Sequence, residues 1–374
     1  MKFTKVAVAT AAALLAVVAS AQTANVTLYG SMRLALESAS YKGPTSSVRI
    51  NSMENVSSRF GFRGREDLGG GLAAIFQLES GFAADTGANG VSGGLQQIFS
   101  REAWVGLTGG FGTAKLGYGL TPFDDVLGWA HHQGANSWEN RNNGVGGGAG
   151  FAKRDLFTNY VNATGCNSSA FDARYGNSIS YETPNMSGLV ARTQYAMIGE
   201  TASKSCGAWD TAIRYSNGPV RVGATYALHK NFTGLGTVVA PHDQSAFRFY
   251  GSFDLGMAMI DGSYEAASYK PASGTLKYKY WELGAIVPLG ANTLGVQYSQ
   301  RDNGLAAGYN PLTQALVVNA TTLANWKNGG GKHLSLTHDY ALSKRTLIRS
   351  YYTQLKNETG TKINVLSSGL WHSF

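Results

Sequence analysis

Beyond its first two dozen residues the chain has no apolar run long enough to cross a membrane as a helix, which takes about 20 residues. Helical periodicity is nearly absent over the same stretch, which argues against an α-helical fold. Proline is scarce, at 8, so long uninterrupted strands are possible. Cysteine is limited to Cys166 and Cys206, which excludes a disulfide-built scaffold and allows one bond at most. The formal charge is +8, yet no block of Lys or Arg occurs; the basic residues are spread singly, which argues against nucleic-acid binding. No Ser/His/Asp spacing or phosphate-cradling loop stands out, so no enzyme chemistry and no cofactor is expected. His131-His132 and Asp124-Asp125 are too sparse to predict a metal site.

What is present begins at the N-terminus. Lys2 and Lys5 precede an apolar run from Val6 to Val18, which closes on Ala19-Ser20-Ala21. This pattern predicts a signal peptide over 1–21, cleaved before Gln22, and a mature domain over 22–374. Removal of Lys2 and Lys5 lowers the charge from +8 to +6. An exported chain with two cysteines is compatible with a Cys166–Cys206 disulfide or with two loop thiols.

The mature chain alternates with period two. In 26–36, Val26, Leu28, Met32, Leu34 and Leu36 oppose Thr27, Tyr29, Ser31 and Arg33. In 247–255, Phe247, Phe249, Phe253 and Leu255 oppose Arg248, Tyr250, Ser252 and Asp254. Sixteen such segments are expected: 26–37, 57–67, 72–82, 100–108, 113–119, 174–183, 189–197, 210–217, 220–229, 245–255, 257–267, 276–287, 292–301, 332–342, 346–356 and 363–374. Short Gly/Pro/Asn turns alternate with longer polar connections near 40–55, 83–98, 120–170, 198–208, 230–244, 302–331 and 357–361. With 48 glycines, 19 tyrosines and 16 phenylalanines, the pattern predicts an all-β fold, a 16-stranded antiparallel transmembrane β-barrel. Closure is required, because a strand edge in lipid would leave backbone groups without partners.

Several motifs carry a resemblance. They are Val26-Thr27-Leu28-Tyr29-Gly30, Ser58-Arg59-Phe60-Gly61-Phe62-Arg63-Gly64 and Glu66-Asp67-Leu68-Gly69-Gly70-Gly71-Leu72. Ala103-Trp104-Val105-Gly106-Leu107, Asn177-Ser178-Ile179-Ser180-Tyr181 and Gly369-Leu370-Trp371-His372-Ser373-Phe374 follow in order. The mature chain resembles the general diffusion porins of Gram-negative bacteria, particularly their beta-proteobacterial branch. The resemblance implies a homotrimer in contact with outer-membrane lipid and lipopolysaccharide, passive diffusion of small hydrophilic solutes, and no cofactor. It also implies a third loop folded into the lumen against a basic wall, and a terminal Phe374 serving as an assembly signal.

Carried over motif by motif, the basic wall is Arg59, Arg63, Arg101 and Arg174. Arg101 is held by the resemblance alone, because its alternation partners are Ala103, Val105 and Leu107. The constriction loop is expected over about 119–150, with Asp124, Asp125 and Glu139 as its acids. Alternation places Arg33, Arg65, Arg192, Arg214, Arg221, Arg248 and Arg301 on the lumen face as well. The acids read on that face are Glu37, Glu79, Glu182 and Asp254. Such a lumen is expected to favour anions. The rival readings are a solute-specific channel, which one solute would block saturably, and a barrel acting as an adhesin, which would not conduct. A barrel enzyme would need a nucleophile and base at the lumen edge, and none can be assembled.

Overall fold

The computed structural model describes residues 25–374 apart from 44–46, 90, 93–94, 97, 125–170, 172, 202–203, 234–239, 304–306, 311–314, 319–329 and 359. The signal-peptide expectation over 1–21 therefore lies outside the described residues.

Sixteen antiparallel strands form one closed barrel. They are β1 (Asn25–Lys42), β2 (in two segments, Ser47–Asn55 and Arg59–Gly69), β3 (Leu72–Ala83), β4 (Glu102–Gly109) and β5 (Gly112–Leu120). Next come β6 (Arg174–Glu182), β7 (Leu189–Thr201), β8 (Lys204–Asn217), β9 (Val220–Phe232), β10 (His242–Asp254) and β11 (Met259–Lys270). The circuit ends with β12 (Leu276–Leu289), β13 (Asn292–Arg301), β14 (Gly331–Ala341), β15 (Thr346–Asn357) and β16 (Lys362–Ser373). Neighbours in sequence are neighbours in space, and β16 returns to β1 in a register running from Ser31↔Ser373 to Lys42↔Lys362. Among the described residues no edge of the barrel sheet is left open, so its strands find their ladder partners within it.

The period-two sequences give this sheet two chemically opposite faces, and the apolar one points outward. Trp209, Ile213, Tyr226, Phe249 and Leu283 are exposed, while Asp210, Thr225, Arg248, Glu265 and Glu282 on the same strands or their neighbours are buried. A water-soluble domain does the reverse. An exposed apolar surface of this extent around a whole barrel is matched by lipid.

At one end the strands join through tight turns that require positive φ, as at Gly69–Gly71 (φ 84°, 61° and 81°). At the other end lie the long connections 84–101, 121–173, 233–241 and 302–330. Two connections expected to be long are short hairpins instead. β1 and β2 pair up to Lys42↔Ser47, and β7 and β8 up to Thr201↔Lys204, so 40–55 and 198–208 are mostly strand.

Two irregularities re-aim side chains. Between the segments of β2, Ser57 adopts φ 58°. There the Arg33 amide donates to Ser58 Oγ (2.9 Å), and the Val56 amide donates to the Arg33 carbonyl (2.9 Å). In β6 the register shifts between Tyr175 and Ser178, with Asn177 at φ 49°. The shift lets Tyr175 and Ser178, three residues apart, face inward together and be buried, as bulges near functional sites do.

The seam is finished by the last residue. The Phe374 amide donates to the Gly30 carbonyl (3.1 Å), and the Gly30 amide donates to the Phe374 carbonyl (3.0 Å). The Phe374 ring covers Gly30, where a Cβ would stand 2.5 Å from the ring and 2.6 Å from the Arg59 carbonyl. Gly30→Val is expected to cost about 1–3 kcal/mol by overpacking, read as a lower urea midpoint for the heat-modifiable band on SDS gels. Adding Phe374→Ala should recover part of the loss; an unchanged midpoint for Gly30→Val would contradict this account of the seam.

Candidate functional site: an arginine wall inside the barrel

The first strands bring a set of arginines to one stretch of the inner wall. On β1, Ser31, Arg33, Ala35 and Glu37 face inward; on β2, Arg59 stands opposite Ser31 and Gly81. Arg101 lies just before β4 begins at Glu102, so the strict alternation of that strand does not bind it. Its side chain turns inward and donates from Nε to Glu79 Oε1 (2.5 Å). Glu79 also accepts from the Tyr29 hydroxyl (3.0 Å), and Arg63 stacks over the Tyr29 ring at 5.3 Å. Arg174 Nε lies 3.8 Å from Glu102 Oε1. Glu102 is further held by Trp104 Nε1 (2.9 Å) and the Leu120 amide (3.2 Å).

The wall continues across the seam. Arg33 and Arg349 lie over the Trp371 ring at 4.8 and 4.2 Å, and Arg349 also pairs with Asp339. Stacking on an indole holds a guanidinium in place without neutralising it. Charged groups near Arg33 include Arg59, Arg349, Arg101 and Glu79, and those near Arg59 include Arg101, Glu79 and Arg174.

The far wall differs. Phe123 and Phe171, from the described ends of the 121–173 connection, are buried against β9–β12 with Tyr269, Tyr278 and Tyr280. Arg248 on β10 is fully buried: it stacks over Phe123 (4.1 Å), donates from Nη1 to the Phe123 carbonyl (2.7 Å) and pairs with Glu265. Glu265 also accepts from the Tyr278 hydroxyl, and Glu282 accepts from Tyr280 (2.7 Å), Gln297 (2.9 Å) and Ser263 (2.6 Å). His229 lies 3.5 Å from Asp210 and stacks on Phe232, with centroids 4.7 Å apart.

The residues expected to line the lumen therefore divide. Arg33, Arg59, Arg101 and Arg174 come together in one cluster, with Arg63 beside it on Tyr29. Arg192 donates to the Leu120 carbonyl (2.8 Å), Arg214 pairs with Glu182 (3.3 Å), and Arg221 faces inward opposite Ser252. Arg65 is exposed, opposite Asn25 and Ile75. Arg248 and Arg301 point inward but do not line open lumen. Arg301 is 4% exposed and lies over Tyr278 at 5.6 Å.

Asp124 is 1% exposed, its amide donates to Thr121 Oγ1 (3.2 Å), and its neighbour Phe123 is bound to Arg248 on β10. Asp125, Glu139 and Cys166 lie outside the described residues. Cys206 is disulfide-bonded and packs among Ala173, Tyr175, Ile198 and Phe232.

Sequence reading missed the inward acids Glu54, Glu102, Asp210, Asp261, Glu265, Glu282 and Asp339, together with Arg349 and Trp371. Alternation could have found most of them. Glu282 opposes Trp281 and Leu283, and Arg349 opposes Ile348. The lumen as a whole is therefore not poor in acid; the basic excess is local to one wall.

A closed barrel with an apolar exterior and a charged interior is an outer-membrane channel. The Gram-negative porin family matches residues 7–360, and the chain belongs to that family, whose members are channels rather than enzymes. Outer membrane porin protein 32 of Delftia acidovorans is 27% identical over 84% of this chain and 78% of its own. An outer membrane porin of Bordetella pertussis is 26% identical over 87% of this chain and 84% of its own. An anion-selective porin from Comamonas acidovorans has the same fold, with a TM-score of 0.67 over 94% of this chain and 100% of its own at 24% identity. The protein is an outer-membrane porin that lets small hydrophilic solutes diffuse passively.

The two kinds of arginine are expected to respond differently to mutation. Arg248→Leu would strand the buried Glu265 carboxylate and cost about 3–5 kcal/mol of stability. Arg59→Gln should leave the unfolding free energy within about 1 kcal/mol of the wild type. Equal destabilisation by both, in urea titrations of the folded band, would overturn the division.

Proposed function

We propose that this porin prefers anions, and that it acts as a homotrimer. The carrying observation is that six arginines, Arg33, Arg59, Arg63, Arg101, Arg174 and Arg349, gather on one wall beside the five inward acids Glu37, Glu54, Glu79, Glu102 and Asp339. A local basic excess on a wall that solutes must pass raises the anion concentration there. The far wall offers its acids no comparable access to water, since Glu265 and Glu282 are buried among tyrosines. The functional wall is thus Arg33, Arg59, Arg63, Arg101, Arg174 and Arg349.

The homotrimer is supported by membership of the family and by the likeness to OmpT of Vibrio cholerae in its trimer form, at 15% identity and a TM-score of 0.62. Native mass spectrometry of the detergent-extracted protein should give three times the chain mass. We also read 1–21 as a cleaved signal peptide and Phe374 as the assembly signal. Cys166 is taken as the partner of Cys206, because the chain has no third cysteine. That bond would tie the returning arm of the 121–173 connection to β8.

Reversal potentials across a KCl gradient in a planar bilayer test the selectivity. Wild-type protein should favour chloride. A unit charge at ~10 Å in water is worth about 0.4 kcal/mol, so Arg33→Gln with Arg59→Gln should lower chloride entry about four-fold and raise potassium entry as much, a drop of roughly sixteen-fold in the chloride-to-potassium permeability ratio. A cation-selective wild type, or an unchanged ratio in the double variant, would refute the proposal.

A further inference from the structure

One side chain on the arginine wall carries no charge and touches two that do. Trp371 on β16 stands directly opposite Arg33 on β1 and Leu347 on β15. The guanidinium groups of Arg33 and Arg349 lie 4.8 and 4.2 Å from the centre of its ring. Arg349 comes from the next inward position of β15, where it faces Gly369 on β16, which in turn faces Ala35 on β1. Neither of those residues extends beyond Cβ, so the long Arg349 side chain meets no bulk between its strand and the ring.

The ring is fixed from behind. Trp371 is buried in one apolar cluster with Ala35 and Val56, and Leu347 packs against it. Val56 lies just before the kink between the segments of β2, and its amide donates to the Arg33 carbonyl (2.9 Å). The backbone that carries Arg33 is thereby tied to the apolar seat of the indole. Packing sets the ring, and the ring sets the guanidinium groups.

What an arginine rests on decides how much of its field reaches the lumen. A carboxylate partner cancels most of the charge, whereas an aromatic face attracts the cation and leaves its charge intact. Both kinds of partner are near Arg33. Glu54 faces Ala35 across β1 and β2, Glu37 takes the next inward position of β1, and Glu79 stands on β3. The indole therefore competes with these acids for the Arg33 guanidinium.

We propose that Trp371 is a positioning residue for ion selectivity. Its ring face sets where the Arg33 guanidinium stands, and so how much of that charge the carboxylates of the wall cancel. An uncharged residue then controls part of the charge that a solute meets. This rests on the reading of the arginine wall as the selective element.

The test is the reversal potential across a KCl gradient in a planar bilayer. Trp371→Leu should lower the chloride-to-potassium permeability ratio about four-fold, the effect of one unit charge at ~10 Å on an anion and a cation together. Trp371→Met, whose flexible chain fills the seat without an aromatic face, should show the same loss. Trp371→Phe keeps a face and should stay within about two-fold of the wild type. In an Arg33→Gln background, adding Trp371→Leu should change the ratio no further. A purely structural role of the indole would act alike in both backgrounds. Stepwise conductance of each variant reports that the barrel is folded. The wild-type potential tests the anion preference, and the change on substitution tests the ring, so the two can fail separately. An unchanged ratio in the leucine and methionine variants would overturn the proposal. So would an equal loss in the phenylalanine variant, or a further loss in the Arg33→Gln background.

Discussion

In hydrocarbon a backbone N–H or C=O has no water to turn to, and each one left without a partner costs several kcal/mol. The remaining architecture answers that constraint. Sixteen antiparallel strands close because an open edge would expose a ladder of such groups, and the β1–β16 register performs the closure. The even number puts both ends of the circuit at the short-turn end, where Phe374 and Gly30 exchange two hydrogen bonds. Closure is also why Gly30 must lack a side chain: the terminal ring and the neighbouring Arg59 carbonyl occupy its Cβ space.

Closing a sheet in lipid inverts the usual disposition of side chains, and the inversion creates the functional chemistry. Polar groups that a soluble protein would place in water are gathered in the interior, where they must satisfy one another or face a channel. Both outcomes occur in this barrel. On the β9–β12 side, Arg248, Glu265, Tyr278, Glu282 and Gln297 are consumed in a buried network beneath Phe123 and Phe171. On the β1–β4 side, reaching β6 and β15, guanidinium groups gather in excess and are held by carboxylates or by Trp371. The same residue type is structural on one wall and electrostatic on the other.

Alternation makes the strands legible because the two faces meet different solvents, and it fails where that difference disappears. The segment Ser47–Asn55 reads as loop for that reason. In its outer half the inward positions carry Val48 and Ile50 and the outward ones Arg49 and Asn51, the reverse of the lipid-facing pattern. Arg101 defeats parity on related grounds: it precedes the first ladder residue of β4, and only its motif places it on the wall. The register shift in β6 puts Tyr175 and Ser178, three residues apart, inward together, which no strict alternation can express. Arg248 and Arg301 take the expected face but not the expected surroundings. Sequence parity reports direction, while the cover supplied by Phe123 and the tyrosines is a long-range contact.

On the anion preference proposed here, the asymmetry between the walls also strengthens the arginine wall. A lumen lined evenly by paired charges would present solutes with little net field. Packing one wall with aromatic rings and hydrogen-bonded carboxylates removes those acids from water and replaces solvent with low-dielectric material. Field lines from the arginines are then directed into the remaining aqueous space, where a charged wall acts on passing ions more strongly than it would in bulk water. Arg248 contributes to this although it touches no open lumen. By holding the Phe123 carbonyl at 2.7 Å and pairing with Glu265, it fixes the cover and neutralises an acid that would otherwise oppose the arginine wall.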